Sequence, residues 1–416
     1  MQIPSATRRI AIVTTTRAEW HLLEPVVNEF ATRSGLETFV LAGGTHLKKA
    51  FGMTVRAVEA SSLCPIHQVD FMPNESIALS DHTAMTRVIG QAVISFADAF
   101  ERYKPDVVLV LGDRFEILSA ALAAVSMRIP LAHLEGGHVT EGAVDERYRN
   151  AISKLADIHF PALSVQGERL RSIGEVESRI VTTGPIGASL ARRAEPLAAV
   201  DMETLTGFNP EHRAILIATI HPETASTTKA DQIADVTRRV VEAVLDLKLS
   251  HKGPKPAILF TLANLDPGGD IINKELYALM KRFPEDVHVL PSIGHLYIQA
   301  LMASAGVMGN SSSGILEACA VGVPVLNIGS RQEGRDRYGP VTDVPWDVAM
   351  IVPEIQSLLM GFQSRHIGDV YQPRGGIEAR PARSDAPDPW VIIADHVSGL
   401  DLATLRSKPS ASLNRS

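Results

Sequence analysis

Gly309-Asn310-Ser311-Ser312-Ser313-Gly314 sets three hydroxyls among small residues, directly after an apolar run and directly before a helical stretch. Small residues let backbone N–H groups close on an oxyanion, and a helix N-terminus adds partial positive charge. Ser311 and Ser312 are therefore candidate phosphate ligands, the competing reading being a plain serine cap. Glu317 lies about one turn into that helix. It is placed to accept hydrogen bonds from a ribose diol, or to serve only as a favourable first-turn acid.

A second set of groups suits proton transfer. Asp113 follows the apolar run 107–111, Glu135 follows 129–134, and Asp145 and Glu146 open the next helix with Arg149 on the same side. Each acid alone could be a helix cap. Acids at the ends of neighbouring parallel strands converge on one crevice, where mutual repulsion raises at least one carboxyl pKa and suits it to move protons. His221, in Thr219-Ile220-His221-Pro222, and His46, in Gly43-Gly44-Thr45-His46, also follow apolar runs. A lone histidine is more often structural than catalytic, which weighs more on His46 than on His221. Arg17 and Arg331 sit in strand-to-helix loops, where a guanidinium fork suits a diphosphate.

Other chemistries lack their signatures. The first apolar run leads into Thr14-Thr15-Thr16-Arg17-Ala18-Glu19 with no GxGxxG, and there is no P-loop pattern. No compact spacing such as HExxH is present, so neither a catalytic metal nor a cofactor is expected.

The elements that must position these groups are legible as alternating short apolar runs and longer amphipathic stretches. Strand-like runs occupy 9–15, 37–41, 106–111, 129–134 and 179–182, with helical stretches at 20–33, 80–103, 115–127 and 146–156. The pattern restarts with strands at 214–220, 257–262, 288–290, 305–308 and 323–328 and helices at 229–247, 272–282, 295–303 and 315–320. Such alternation requires parallel sheets covered on both faces. It predicts an α/β protein of two Rossmann-like domains, 1–185 and 186–373, with ligands beyond the carboxyl ends of the strands. Residues 374–416 read as a linker-like extension followed by a disordered tail over 407–416.

Composition narrows the class. Of 416 residues, 45% are hydrophobic and 21% charged, which fits neither a membrane protein nor a disordered one. The most apolar stretch, 120–132, is broken by Ser126 and Arg128, and the run after Arg8 and Arg9 is too short for a signal peptide. A net charge of −7 speaks against a nucleic-acid partner. Cys64 and Cys319 make no disulfide framework, and a cytoplasmic location is expected.

The strings GDRFEILSAALA, EGGHVTEGAVDERYRNAISK, ANLDPGGDIIN and GNSSSGILEACAVGVPVLNIGSRQEGR resemble the bacterial hydrolysing UDP-N-acetylglucosamine 2-epimerases of sialic acid synthesis, over about 9–372. The resemblance implies a GT-B-like fold, with two Rossmann-like domains and the active site in the cleft between them. It implies conversion of UDP-N-acetylglucosamine to N-acetylmannosamine and UDP, in a homodimer or homotetramer. It makes Asp113, Glu135, Asp145, Glu146 and His221 the catalytic candidates, and Arg17, Asn264, Ser311, Ser312, Glu317 and Arg331 the UDP-sugar contacts, to which the positions of His46 and Arg149 in the sequence add two further substrate-binding candidates. His138, Asn150 and Trp20 depart from the family pattern, which brings in an alternative substrate, UDP-2,4-diacetamido-2,4,6-trideoxyhexose of a legionaminic acid type pathway. A GT-B glycosyltransferase is the more distant alternative.

Overall fold

A computed structural model describes residues 7–73, 82–247, 254–264, 266–337, 339–363 and 387–405. Ile10, Ala11, Ile12 and Val13 are all fully buried, so their strand has no face left for water and must be covered on both sides. The same holds for Val107–Leu111 and for most of Arg213–Thr219.

The first six strands are β1 (Arg8–Thr14), β2 (Leu36–Gly43), β3 (Ile66–Val69), β4 (Val107–Leu111), β5 (Leu131–Leu134) and β6 (Ile158–Phe160). They form one parallel sheet in the order β3-β2-β1-β4-β5-β6. The next six are β7 (Arg213–Thr219), β8 (Lys255–Thr261), β9 (Val287–Leu290), β10 (Gly306–Gly309), β11 (Val325–Ile328) and β12 (Thr342–Val344). Their parallel sheet runs β12-β11-β10-β7-β8-β9. Each sheet thus has its own first strand in the middle, with the chain departing to one side and later returning to the other. A crevice opens where the strand order reverses, between β1 and β4 and between β7 and β10.

Alternation along each strand divides the core. Ile10 and Ile12 pack with one helical layer, Ala11 and Val13 with the other. The second sheet does the same, with Leu216 on one face and Ile215 and Ile217 on the other.

Several expectations change. Residues 179–182 are not a strand: Glu177–Arg179 is a single 3-10 turn, and Ile180 makes one isolated bridge to His159. The edge strand is instead β6, masked in the sequence by a buried histidine that bonds Glu175 at 3.0 Å. Strands β3 and β12, and the helices Val55–Ser61 and Ser164–Ser172, are short and weakly patterned, so periodicity missed them. Residues Gly314–Ala318 are wound as a π-helix.

The extension after residue 373 is not linker-like where it is described. Helix Pro389–Ser398 buries Trp390, Ile393, Ala394 and Val397 in the cluster that contains Ile10 and Ile12. Arg8 donates to the carbonyls of Val397, Ser398 and Leu400, satisfying the helix end from the first strand. Residues 374–386 and the tail from 407 lie outside the described residues.

Candidate active site

The loops after β1, β4, β5, β7 and β10 face one another across a cleft that encloses about 270 Å³. Arg17, Asp113, Glu135, Asp145, Arg149, His221, Asn264, Ser311, Ser312, Glu317 and Arg331 all line it. Residues more than 300 positions apart in the chain, Arg17 and Arg331, thus share one site because both switch points open toward it.

The acids occupy the wall built by the first sheet. Asp113 accepts an ion pair from Arg149, whose side chain is 1% exposed and which also donates to Glu146 Oε2 at 2.6 Å and to His138 O at 2.9 Å. Burial pushes the Asp113 carboxyl up, but the guanidiniums of Arg149, Arg335 and Arg331 outweigh it and hold the group well below the usual range. Asp145 goes the other way. Burial, then the charges of Asp266 and Asp113, push it up to about 7 against the pull of Arg331 and Arg114. One cleft therefore holds a permanent carboxylate and a carboxyl poised near neutrality, the pairing that acid–base chemistry needs. Glu135 adds a third acid at φ +57°, a left-handed backbone that a side chain adopts only under compensation. Its Oε1 accepts the backbone N–H of Ile186 at 3.2 Å.

The second sheet supplies donors. Asn310 is fully buried and clamps the backbone of His221, its Oδ1 accepting from His221 N at 2.7 Å and its Nδ2 donating to His221 O at 2.8 Å. Asn264 N donates to His221 Nδ1 at 3.1 Å, so the neutral ring carries its proton on Nε2. Burial and the nearby Arg331, Arg114 and Arg17 lower the His221 pKa far enough to keep it neutral. Gly309 makes this approach possible: at φ +127° a Cβ there would stand 2.1 Å from Thr219 O. Ser313 donates to Ser311 at 3.1 Å and bonds Tyr297 at 2.6 Å, holding the serine loop at the mouth of the π-helix. Arg331 Nη1 donates to Asn310 O at 3.2 Å, and Nη2 lies 3.8 Å from both Asp145 and Asp266. Arg17 reaches across the cleft to Leu262 O at 3.3 Å, and burial pushes its pKa down to about 10.

Asn264 Oδ1, Glu317 Oε2 and Arg331 Nε are buried with no hydrogen-bond partner among the described residues. Buried polar atoms are almost always paired, so three orphans in one cleft point to a polar ligand. Burial pushes Glu317 up, but His21, 3.8 Å away, and Arg335 together leave it lowered and ionised.

Two candidates lie elsewhere. His46 is fully buried behind the cleft, bonded to Thr14 at 2.9 Å and Thr54 at 2.8 Å, with its pKa pushed down by burial to about 3. It braces the loop after β2 and is not a cleft residue. Glu146 turns away toward Thr140 N, Arg149 and Asn150, and acts on the site through Arg149.

Sequence reasoning also missed the groups that join the two walls. Glu141 N donates to Glu333 O at 3.0 Å, and Arg169 forks onto Asp336 at 2.6 and 2.8 Å. Gly142 admits this contact, since a Cβ there would stand 2.1 Å from Ser330 O. Arg335 and Arg114, which set the charge balance, were within the quoted strings but unassigned. Among the described residues no group of three or more His, Cys, Asp or Glu is placed to hold a metal ion.

A family model described as UDP-N-acetylglucosamine 2-epimerase matches residues 28–373. The GDP/UDP-N,N'-diacetylbacillosamine 2-epimerase (hydrolyzing) of Campylobacter jejuni is 32% identical over 337 residues, covering 81% of this chain and 84% of that protein. The chain belongs to the bacterial hydrolysing 2-epimerase family. Another relative is the UDP-N,N'-diacetylbacillosamine 2-epimerase (hydrolyzing) of Legionella pneumophila, 34% identical over 340 residues, with 81% and 85% of the chains covered. In fold, this family member matches the UDP-GlcNAc 2-epimerase from Neisseria meningitidis bound to UDP-GlcNAc. The TM-score is 0.65 at 18% identity, over 88% of this chain and 96% of the other. The two-sheet architecture is accordingly GT-B-like. No described helix is long and apolar enough to cross a membrane.

Proposed function

We propose that this family member is a hydrolysing 2-epimerase of UDP-2,4-diacetamido-2,4,6-trideoxyhexose, releasing UDP and the free 2-epimeric sugar. The observation that carries the reaction is the facing of the Asp113, Glu135 and Asp145 group against the His221 and serine-loop donors in one cleft. The substrate follows from the relatives at 32% and 34% identity, whose names specify diacetylbacillosamine. UDP-N-acetylglucosamine, the first expectation from the sequence, becomes the second reading, supported by the description of the family model.

In this reading a carboxylate removes the proton at C2 while the C1–O bond to UDP breaks, leaving a 2-acetamidoglycal. Water then adds its hydroxyl to C1, and a proton reaches the opposite face of C2. Inversion needs two proton-transfer groups, and Asp145 and Glu135 are the acids of the first wall that stand outside the ion pairs of Arg149 with Asp113 and Glu146. Asp113 stays an anion and orients through Arg149. His221 Nε2–H, Ser311, Ser312 and Arg331 stabilise the departing diphosphate, where preorganised donors have most effect. Arg17, Asn264 and Glu317 hold the nucleoside. The two units take their boundary near 185/186, beside the Ile186 N–H that fixes Glu135.

The test is turnover of both UDP-sugars, following free UDP and the released sugar. In heavy water the sugar should carry one deuterium at C2. Full retention of the original C2 hydrogen would remove the elimination mechanism. Faster turnover of UDP-N-acetylglucosamine would restore the second reading.

A further inference from the structure

His133 is the third residue of β5, is fully buried and does not line the cleft. Its ring Nε2 lies 2.7 Å from Gly112 O, the carbonyl immediately before Asp113. A carbonyl oxygen only accepts, so Nε2 carries the proton and donates it. Burial pushes the pKa of the ring down to about 3, so it is neutral and its Nδ1 keeps a lone pair. Ser153 Oγ, 3.1 Å from Nδ1, donates to that lone pair.

Three segments of the first wall meet on this ring. Gly112 turns at φ +84°, a conformation that glycine adopts without selecting it, and the carbonyl bond from His133 fixes the turn. Its N–H is held as well, by Leu134 O at 3.2 Å. Gly136, the residue after Glu135, passes so close that a Cβ there would stand 2.9 Å from His133 Nδ1 and 3.0 Å from Ser153 Oγ. Ser153 itself lies one helical turn beyond Arg149 in the helix Asp145–Leu155, and both are buried on the same side. One imidazole thus touches the neighbours of Asp113 and Glu135 and the helix face that carries Arg149.

We infer that His133 is a positioning residue for the acids: its Nε2–H fixes the Gly112 carbonyl, and with it the direction in which Asp113 leaves β4, against the turn that carries Glu135. The inference rests on the assignment of Asp113 and Glu135 to the reaction. A left-handed backbone such as that of Glu135 persists only where its surroundings over-determine it, and the packed ring is part of those surroundings. With no water to compete, the bond to Gly112 O is strong and directional. A leucine of similar bulk would fill the space and lose both ring bonds.

Crystal structures of His133→Leu, His133→Gln and His133→Asn read the geometry without turnover. In His133→Leu the Gly112–Asp113 peptide should shift relative to Glu135 by about 1 Å, the scale at which a misplaced group loses its rate. The glutamine amide nitrogen reaches as far from the backbone as imidazole Nε2 and should restore the bond to Gly112 O, whereas the asparagine amide is too short. Turnover is followed on whichever UDP-sugar the unsubstituted protein accepts. There His133→Leu should lower kcat roughly 10- to 100-fold with KM and UDP affinity little changed. His133→Gln should recover most of that loss and His133→Asn none of it. A side chain that only fills the core would change the melting temperature and leave kcat alone. His133→Leu with unaltered kcat, or with Gly112 and Asp113 in place, overturns the inference. Should that variant fail to fold, equal kcat in the glutamine and asparagine variants overturns it. If the unsubstituted protein accepts neither UDP-sugar, the proposed function fails, and the displacement of Asp113 in the variant structures still decides whether His133 positions it.

Discussion

Arg149 and Asp113 form an ion pair in which the guanidinium is 1% exposed and the carboxylate 23% exposed. The pair joins the loop after β4 to the helix Asp145–Leu155 and so fixes the spacing of the acids they carry. Removing one partner from a buried pair leaves an uncompensated charge, at a cost of about 3–5 kcal/mol. Arg149→Ala should therefore lower the melting temperature strongly, while Asp113→Asn lowers it less and abolishes turnover with UDP affinity nearly intact. Glu135→Gln should resemble Asp113→Asn in turnover without the loss of stability. Melting curves and UDP calorimetry on the three variants separate these outcomes, and near-normal turnover in either acid variant would return that residue to a structural role.

Asp145 gives the site its pH dependence. Its pKa in the folded protein, about 7, stands above the ordinary value of 3.8. The folded state thus binds the proton more tightly than the unfolded state, and its advantage is complete below pH 3.8. That advantage is lost as pH rises toward and through 7. Asp145→Asn should accordingly be more stable than the unsubstituted protein at pH 8, by at least the roughly 1.4 kcal/mol of one pKa unit, and no more stable at pH 4. Equal stability at both pH values would place the Asp145 charge elsewhere. The rate profile of the unsubstituted protein should carry an inflection near pH 7 from the same group.

The anion site is tested by Ser312→Ala combined with Arg331→Ala. Each change removes a donor to a charged group, a loss of about 1.5–3 kcal/mol. UDP affinity should fall by two orders of magnitude or more, and the melting temperature of the free protein should change far less. Unaltered affinity by calorimetry would move the diphosphate to another part of the cleft.

His46 should behave as a brace. His46→Ala strands Thr14 and Thr54, at about 1–3 kcal/mol for each buried group left unbonded. Stability should drop while UDP affinity stays within a few-fold of normal. Loss of UDP binding without loss of stability would make His46 a ligand contact after all.

Deleting residues 387–416 should destabilise the half of the protein built on β1. Full burial of each large apolar side chain contributes about 1.5–3 kcal/mol, and Trp390, Ile393 and Val397 all enter that core. A truncated chain with an unchanged melting temperature would show that the helix Pro389–Ser398 docks only loosely.

Legibility in the sequence followed the reach of the signal. Strands such as β1 and β7 are continuous apolar runs, and each announces itself. The candidate residues at their ends could be named because loops after parallel strands converge. His46 also follows a strand, and nothing local distinguishes a loop side chain that turns under the sheet from one that faces the cleft. Arg169 and Asp336 were invisible for another reason: their meaning lies in a contact between residues 167 positions apart. The helix Pro389–Ser398 was hidden by its proline-rich approach, although Trp390, Ile393, Ala394 and Val397 carry helical spacing.

The chain passes from the first sheet to the second beside Gly184 and comes back through Pro389, and a Cβ on Gly184 would lie 3.8 Å from the Pro389 ring. The outgoing crossing and the residue at which the chain re-enters the first half are therefore neighbours. Parts joined by one thread can tumble through many orientations, whereas parts joined by two adjacent threads are left with a single axis about which to swing. An opening of the cleft would then be confined to a rotation about that axis. Reclosing would return Asp336 to Arg169 and Glu333 to Glu141 along a fixed arc, with little orientational entropy to surrender.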